Sequence, residues 1–453
     1  MSENTLQASV SDTICAIATP PGVGGVGVIR VSGPLSALIA QTILGFVPES
    51  RKACFARFKN EHGQAIDSGI ALLFTAPASF TGEDVLELQG HGGPQILQML
   101  MTRVLELGAR PARAGEFSER AFLNNKLDLV QVEAIADLIE SGTEACARAA
   151  QRSLEGVFSE QVNKLQKELI DLRVFVEAAM DFPDEEIDFL ENSDVLEKLG
   201  RAGEHLQSLL DQAHQGQLLR DGINIAIAGL PNAGKSSLLN ALAGRDSAIV
   251  TDIPGTTRDV LREHISLDGL PAHISDAAGI RDSTDIVEAE GIRRARATLT
   301  TADLVLLVVD SSQALEPQLA LRSEIPGNVP CIEVFNKVDL TADKAGVDAD
   351  SVRVRVSAKT GQGLQRLISQ IKKTVGASVS YEGTFSARTR HLDALKRTRT
   401  HILAGHRQLE QYNAPEILAE ELRLAQKELG EITGQYLPDD LLGAIFSSFC
   451  IGK

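Results

Sequence analysis

The string Gly229-Leu230-Pro231-Asn232-Ala233-Gly234-Lys235-Ser236 constrains the fold of this chain more than any other segment. It follows the apolar run Ile223 to Ala228, suited to a buried parallel strand, and precedes Ser237 to Leu242, whose pattern is helical. A strand, a glycine-punctuated loop and a helix in that order form the setting of a phosphate-binding loop. Gly229 and Gly234 let the backbone wrap an anion, with N–H groups and the helix N-terminus facing it. Lys235 supplies charge to the β- and γ-phosphates and Ser236 a hydroxyl to Mg²⁺, with Asn232, Ala233 and Ser237 completing the contact set of the loop.

A second motif selects the base. The apolar run Cys331 to Phe335 leads into Asn336-Lys337-Val338-Asp339. A carboxylate at Asp339 accepts from both N–H groups on the edge of guanine, whereas adenine would leave it unpaired. Lys337 lies along the base and the loop. After the alternating stretch Val352 to Val356, Ser357-Ala358-Lys359 resembles the last base-contacting loop of GTPases. Four residues alone say little, but in this order after a phosphate loop they specify GTP and GDP.

Between the two motifs lie candidate switch segments. Thr251-Asp252-Ile253-Pro254-Gly255-Thr256-Thr257-Arg258-Asp259 stands where a first switch loop belongs, and Thr257 is the candidate hydroxyl for completing the Mg²⁺ shell. Asp276-Ala277-Ala278-Gly279 follows the strand Ala272 to Ser275. Asp276 is placed to reach Mg²⁺ through water and Gly279 to donate its N–H to the γ-phosphate. The next residue is Ile280, where Ras-like enzymes carry a glutamine that orients the attacking water. Its side chain has no donor or acceptor. Either hydrolysis is very slow or another polar residue enters.

A chain of 453 residues is too long for one ordinary core, so two or three domains are expected. From 1 to 118 the pattern is strand-like and glycine-punctuated, with Pro94 to Leu107 reading as a helix. Glycines nearly vanish from 119 to 216, where apolar residues recur at helical spacing, as at Leu165, Leu169, Leu172 and Val176; 379 to 453 reads helically too. Between them, 217 to 378 alternates strand and helix and has the size of one nucleotide-binding α/β domain. The economical arrangement is an α/β domain inserted into a loop of a helical domain.

A net charge of −17 repels nucleic acid over the whole chain, so any RNA contact must be local or shared with a more basic partner. With no Trp and three Tyr there are few platforms on which bases could stack. The five Cys form no C-x-x-C pair, which argues against a zinc site or a disulfide framework and fits a reducing cytoplasm. No run of 18 apolar residues occurs, so a cytoplasmic protein without a membrane span is expected.

Further strings complete a resemblance. The chain reads T-P-P-G-V-G-G-V-G at 19 to 27, F-T-G-E-D-V-L-E-L-Q-G-H-G-G at 80 to 93 and G-E-F-S-E-R-A-F-L-N-N-K-L-D-L at 115 to 129, and it ends on Cys450-Ile451-Gly452-Lys453. With the GTPase motifs these resemble the MnmE (TrmE) family of tRNA modification GTPases across the full length. The resemblance implies a Ras-like P-loop GTPase domain inserted into an α-helical domain and preceded by an α+β domain that binds tetrahydrofolate and dimerises. It implies that Glu288 replaces the missing glutamine as the catalytic residue. It implies a K⁺ site at Asn232, Thr251, Ile253 and Thr256, and folate contacts from Arg30, Glu87, Lys126 and Lys453. It further implies a heterotetramer with the flavoprotein MnmG, which would carry FAD and use NADH, and modification of the wobble uridine of certain tRNAs. One departure is Ala277, where the family usually has threonine.

Without the resemblance, Arg30 and Glu87 read as strand surface charges. His91 reads as a turn histidine or a pterin neighbour, and Cys450 as a buried thiol or a group placed near the folate. Gly22-Val23-Gly24-Gly25-Val26-Gly27 matches a dinucleotide fingerprint formally, but its flanks lack the required helix. Two other functions stand beside the modification enzyme. An rRNA-binding assembly GTPase is disfavoured by the acidic balance, and a folate-dependent transferase with an idle GTPase by the intact Lys235, Ser236 and Asp339.

Overall fold

A computed structural model describes residues 12–181, 194–244, 262–276, 297–341, 344–348, 352–378, 381–436, 439–447, 449 and 452, with the backbone alone at Asp181, Arg262, Glu263, Asp276, Asp439, Asp440, Leu441 and Ala444. The chain divides into two compact units, Met1–Ala136 with Gly430–Lys453, and Asp137–Leu429.

The first unit is built on six strands, β1 Ile14–Ile17, β2 Gly24–Ser32, β3 Cys54–Lys59, β4 Ala65–Phe74, β5 Val85–Gly92 and β6 Arg110–Pro111, in the order β3-β4-β5-β2-β1-β6. Its core face follows from the two-residue period of a strand. Ile29 and Val31 of β2 and Leu86 and Leu88 of β5 bury together under the helices Ser36–Leu44 and Pro94–Glu106, which contribute Ile39, Ile43, Leu97, Leu100 and Val104. The alternate positions, Arg30 and Glu87, therefore fall on the opposite face, directly across from one another. Phe117, from the helix Glu116–Leu123, packs on that side with Ile14, Ala16 and Phe80. The glycine run beginning at Gly22 leads straight into β2 with no helix, which excludes a dinucleotide-binding turn there.

A charged network stiffens this unit. Arg120, 5% exposed at its side chain, bonds Asp12, Glu83 and Glu116, and Arg110 bonds Asp12 and Glu116. Burial opposes ionisation of Glu116, but hydrogen bonds from Arg110 and the Arg113 N–H outweigh it and bring its pKa down to about 2. The end of the chain returns to the same unit. Phe446 and Phe449 pack with Leu129 and Val132, and Gly452 sits at φ +97 with its missing Cβ 2.8 Å from the Ile17 carbonyl. A side chain at 452 would need both a left-handed backbone and space that β1 occupies.

The second unit joins long helices to a seven-stranded sheet. Helices Glu144–Leu154, Val157–Asp181, Asp194–Asp221, Thr389–Tyr412 and Pro415–Thr433 carry apolar stripes at three- and four-residue spacing, Leu199, Ala202, Leu206, Leu209 and Ala213 in one case. The sheet consists of β7 Ile223–Ala228, β8 Arg262–Leu267, β9 Leu270–Asp276, β10 Leu304–Asp310, β11 Cys331–Asn336, β12 Gly346–Val347 and β13 Arg353–Arg355, in the order β12-β13-β11-β10-β7-β9-β8. Strands β13, β11, β10, β7 and β9 are mutually parallel, and the edges β12 and β8 are antiparallel. All seven residues of β10 are buried, as a parallel strand covered on both faces requires. The sheet enters directly from the helix Asp194–Asp221 and its last helix, Leu364–Thr374, leads back to Thr389–Tyr412, so the α/β element is an insertion in a helical one.

Candidate functional site

The parallel strands all deliver their carboxyl ends to one edge of the sheet, where ligands bind in open α/β folds. The phosphate loop follows β7, Asp276 ends β9, Asp310 ends β10, Asn336 ends β11 and Ser357 follows β13. Register places Asp276 beside Ile227, at the mouth of the loop.

The loop depends on its two motif glycines for different reasons. Gly229, at φ +150, lies so close to β10 that a Cβ would stand 2.4 Å from the Val308 carbonyl. Gly234, at φ +94, would bring a Cβ to 2.3 Å from Asn336 Nδ2. The second clash links the two sequence motifs, because Asn336 packs where a side chain at 234 would go. Gly234 caps the helix Lys235–Ala243 without a side-chain hydrogen bond, so the first N–H groups of the helix remain for an anion. Lys235 Nζ donates to the carbonyls of Gly229 at 3.0 Å and Leu230 at 3.2 Å, which holds the ammonium inside the curve of the loop. Asn232, Ser236 and Ser237 are exposed around it.

Asn336 is buried and acts as a tie. Its Nδ2 donates to the Ala233 carbonyl at 3.1 Å and its Oδ1 accepts from the Ala358 N–H at 3.0 Å, so one side chain joins the phosphate loop, β11 and the loop after β13. Ser357 Oγ donates to Asp339 Oδ1 at 2.6 Å, which fixes that carboxylate. Lys337, in the left-handed region at φ 66, donates to the Asn232 carbonyl at 2.8 Å and to Asp310 Oδ2 at 2.6 Å. Lys359 is exposed at the rim.

Asp310 escapes a reading by motif. It is 2% exposed and receives Ser312 and Gln313 besides Lys337. Burial works against its charge, but the Lys337 ammonium and the Ser312 donors prevail and hold its carboxyl below the usual carboxylate range. The signal in the sequence is a carboxylate closing the six-residue apolar run Leu304 to Val309. Thr251, Ile253, Thr256, Thr257, Ala277, Gly279, Ile280 and Glu288 lie outside the described residues, as do Cys450 and Lys453.

The folate candidates of the first unit are only partly gathered. Arg30 Nε donates to Glu87 Oε1 at 3.0 Å and Nη1 to the Gly452 carbonyl at 3.3 Å, and the guanidinium lies over the rings of Phe80 and Phe117. The pair is half-buried, so it is more than surface charge. Lys126 Nζ donates to the Pro77 carbonyl at 3.0 Å, and no contact joins it to Arg30 or Glu87 among the described residues. His91 receives a fixed place from Asp67, whose two carboxylate oxygens bond its N–H and Nδ1 at 2.7 Å each.

A doubly wound, mostly parallel sheet with a phosphate-loop string, an N-K-V-D turn and a bracing S-A-K loop defines a P-loop GTPase. Family models agree in detail. The MnmE helical domain matches residues 129–450 and the N-terminus of the GTP-binding protein TrmE matches residues 13–126. Proteins named tRNA modification GTPase MnmE from Marinobacter nauticus and Nitrosococcus oceani are 55% and 54% identical, over 98% of this chain and 99% and 98% of their own length. The namesake from Vibrio cholerae is 54% identical over 98% of this chain and 100% of its own. The chain belongs to the MnmE family.

Proposed function

We propose that this chain is a K⁺-activated GTPase that acts with the flavoprotein MnmG in the folate-dependent C5 (carboxymethyl)aminomethyl modification of the wobble uridine of tRNA. The observation that carries the nucleotide part is Asn336, whose amide joins the phosphate loop to the base-reading loop. Two motifs far apart in sequence thereby become one site for a guanine nucleotide. The three-part division expected from the sequence, 1–118, 119–216 with 379–453, and 217–378, is part of the proposal, as is a homodimer through the N-terminal domain. A cytoplasmic site of action belongs to the same reading; among the described residues no helix is long and apolar enough to cross a membrane.

The residues of this chain divide the work. Asp339, oriented by Ser357, accepts from the guanine edge, and the backbone of the loop with Lys235 holds the phosphates. Ser236, exposed on the first turn of its helix, fits Mg²⁺ together with Thr257 and, through water, Asp276; the ion would neutralise charge between the β- and γ-phosphates. Asn232, exposed and braced by Lys337, fits a K⁺ ligand, with Thr251, Ile253 and Thr256 as the others; the cation would offset charge developing on the transferred phosphoryl. Glu288 orients the attacking water and accepts its proton.

In the first unit Arg30 and Glu87 set a donor beside an acceptor in a half-buried position, the complement of a pterin edge, with Lys126 and Lys453 as further contacts for a tetrahydrofolate. FAD and NADH would belong to the partner, and the glycine run from Gly22 opens a strand rather than a dinucleotide-binding turn. Initial rates of GTP hydrolysis in K⁺ and in Na⁺ test the reading. A much faster rate in K⁺ is expected, and equal rates would remove the K⁺ site.

A further inference from the structure

The helix Thr389–Tyr412 is locally basic within an acidic chain. Residues 385–412 carry six Arg or Lys against two Asp or Glu, in a chain of net charge −17. Most charged runs are solvated faces, so the placement of the side chains decides whether this one can do more. The 3.6-residue repeat puts Lys396, Arg399, Leu403 and Arg407 along one stripe, with Thr400 beside it. All five are exposed, while Leu392, Leu395, Thr398, Ile402 and Leu409 face the core.

The cations of the stripe are weakly engaged. Arg399 donates to the neutral Gln207 at 3.1 Å, Lys396 stands 3.6 Å from Asp393, and Arg407 forms no ion pair among the described residues. Three carboxylates of the neighbouring helix Pro415–Thr433 are held by other groups. Glu421 pairs with His401 at 2.7 Å, Glu420 with Arg423 at 2.7 Å, and Glu428 with Arg397. Glu410 is the nearest acid on the helix itself beyond Arg407, and His406 lies 3.6 Å from it. What remains is a positive stripe about 16 Å long from Lys396 to Arg407 at the rise of an α-helix.

We propose that this stripe docks the phosphate backbone of an RNA, with Lys396, Arg399 and Arg407 as the charges and Thr400 as a hydroxyl donor. The inference rests on the tRNA reading above and places one contact of that substrate. A polyanion repelled by the chain as a whole can approach only where the local field reverses. The stripe has no aromatic side chain, so it positions the strand and reads no bases. Base choice falls to other groups.

The test is binding of labelled, unfractionated tRNA to the full chain across a salt series, with anionic phospholipid vesicles as a second polyanion. The variants are the neutral triple Lys396→Gln/Arg399→Gln/Arg407→Gln and the charge-keeping double Arg399→Lys/Arg407→Lys. The triple variant is expected to bind tRNA about 10-fold more weakly at low salt, with the slope of log K against log salt reduced by roughly 2–3. The double variant should keep most of the affinity, and both should hydrolyse GTP at the wild-type rate. Wild-type affinity and slope in the triple variant would overturn the stripe alone, as would a loss confined to the vesicles. A wild-type protein that hydrolyses GTP yet binds no tRNA would overturn the stripe and the direct tRNA contact together.

Discussion

The nucleotide edge of the seven-stranded sheet and the Arg30 face of the six-stranded sheet each set charged side chains at the surface of a sheet, and they are assembled in opposite ways. At the nucleotide edge the work is done by short strings whose backbone conformation is local: Gly229 and Gly234 shape one loop, Lys337 at φ 66 another. Parallel strands then bring the strings to one edge. On the Arg30 face no string is self-sufficient. Arg30 meets Glu87 because β2 and β5 pair in one particular register, and Gly452 reaches Arg30 only after the chain has returned from its far end. A slip of one residue would send Arg30 into the core and Ile29 to the surface. Loops that carry their own geometry can be moved as an insertion; a face built from register cannot.

The strongest break of this comparison is a change that unfolds one unit and spares the other. Glu116→Gln removes the carboxylate shared by Arg110 and the buried Arg120, which keep Asp12 and Glu83 as partners, a loss of charged hydrogen bonds that costs about 1–3 kcal/mol. The first unit should lose stability by that order in denaturant unfolding, with GTP affinity unchanged. Unaltered unfolding would show that the network is ornamental. The same group gives a pH signature. Its folded pKa is depressed to about 2, so its contribution is complete above the ordinary Glu range and is lost as pH falls through about 2.

Chemistry on the nucleotide side comes next in size. Glu288→Ala should lower single-turnover hydrolysis by roughly 10²-fold and leave nucleotide affinity in place. A wild-type rate in K⁺ would turn attention to Asp282, Asp285 and Glu290. Asp310→Asn is a smaller effect inside the same edge. It keeps the shape but removes the charge that holds Lys337, so GTP affinity should fall by about 1–2 kcal/mol, read by titration with a fluorescent GTP analogue. Unchanged affinity would make Asp310 a structural residue only. The smallest change concerns ion choice: Asn232→Ala should abolish the difference between K⁺ and Na⁺ rates, and a retained difference would place the cation elsewhere.

How much was legible follows from the same contrast. The strand before Gly229, the helix after it, the sheet-and-helix alternation and the turn after β11 could all be read, because each is written in adjacent residues. Asp310 could not, since the end of a buried strand does not announce that Lys337, far along the chain, will pair with it. The double use of Asn336 was equally hidden: its type points to the base, while its hydrogen bonds tie loops whose proximity depends on the order of β7, β10 and β11. Apart from the resemblance, Arg30 and Glu87 read as strand surface charges, and only the register shows them paired, with the Arg30 guanidinium over Phe80 and Phe117.

The central claim is that the edge formed by Gly229 to Ser236, Asn336 to Asp339 and Ser357 reads guanine, and Asp339→Asn tests it most directly. The substitution replaces a double acceptor by an amide that matches xanthine better, and unpaired buried polar groups cost about 1–3 kcal/mol. Competition binding of GTP against XTP should therefore reverse its preference in the variant. A variant that still prefers GTP would contradict the account.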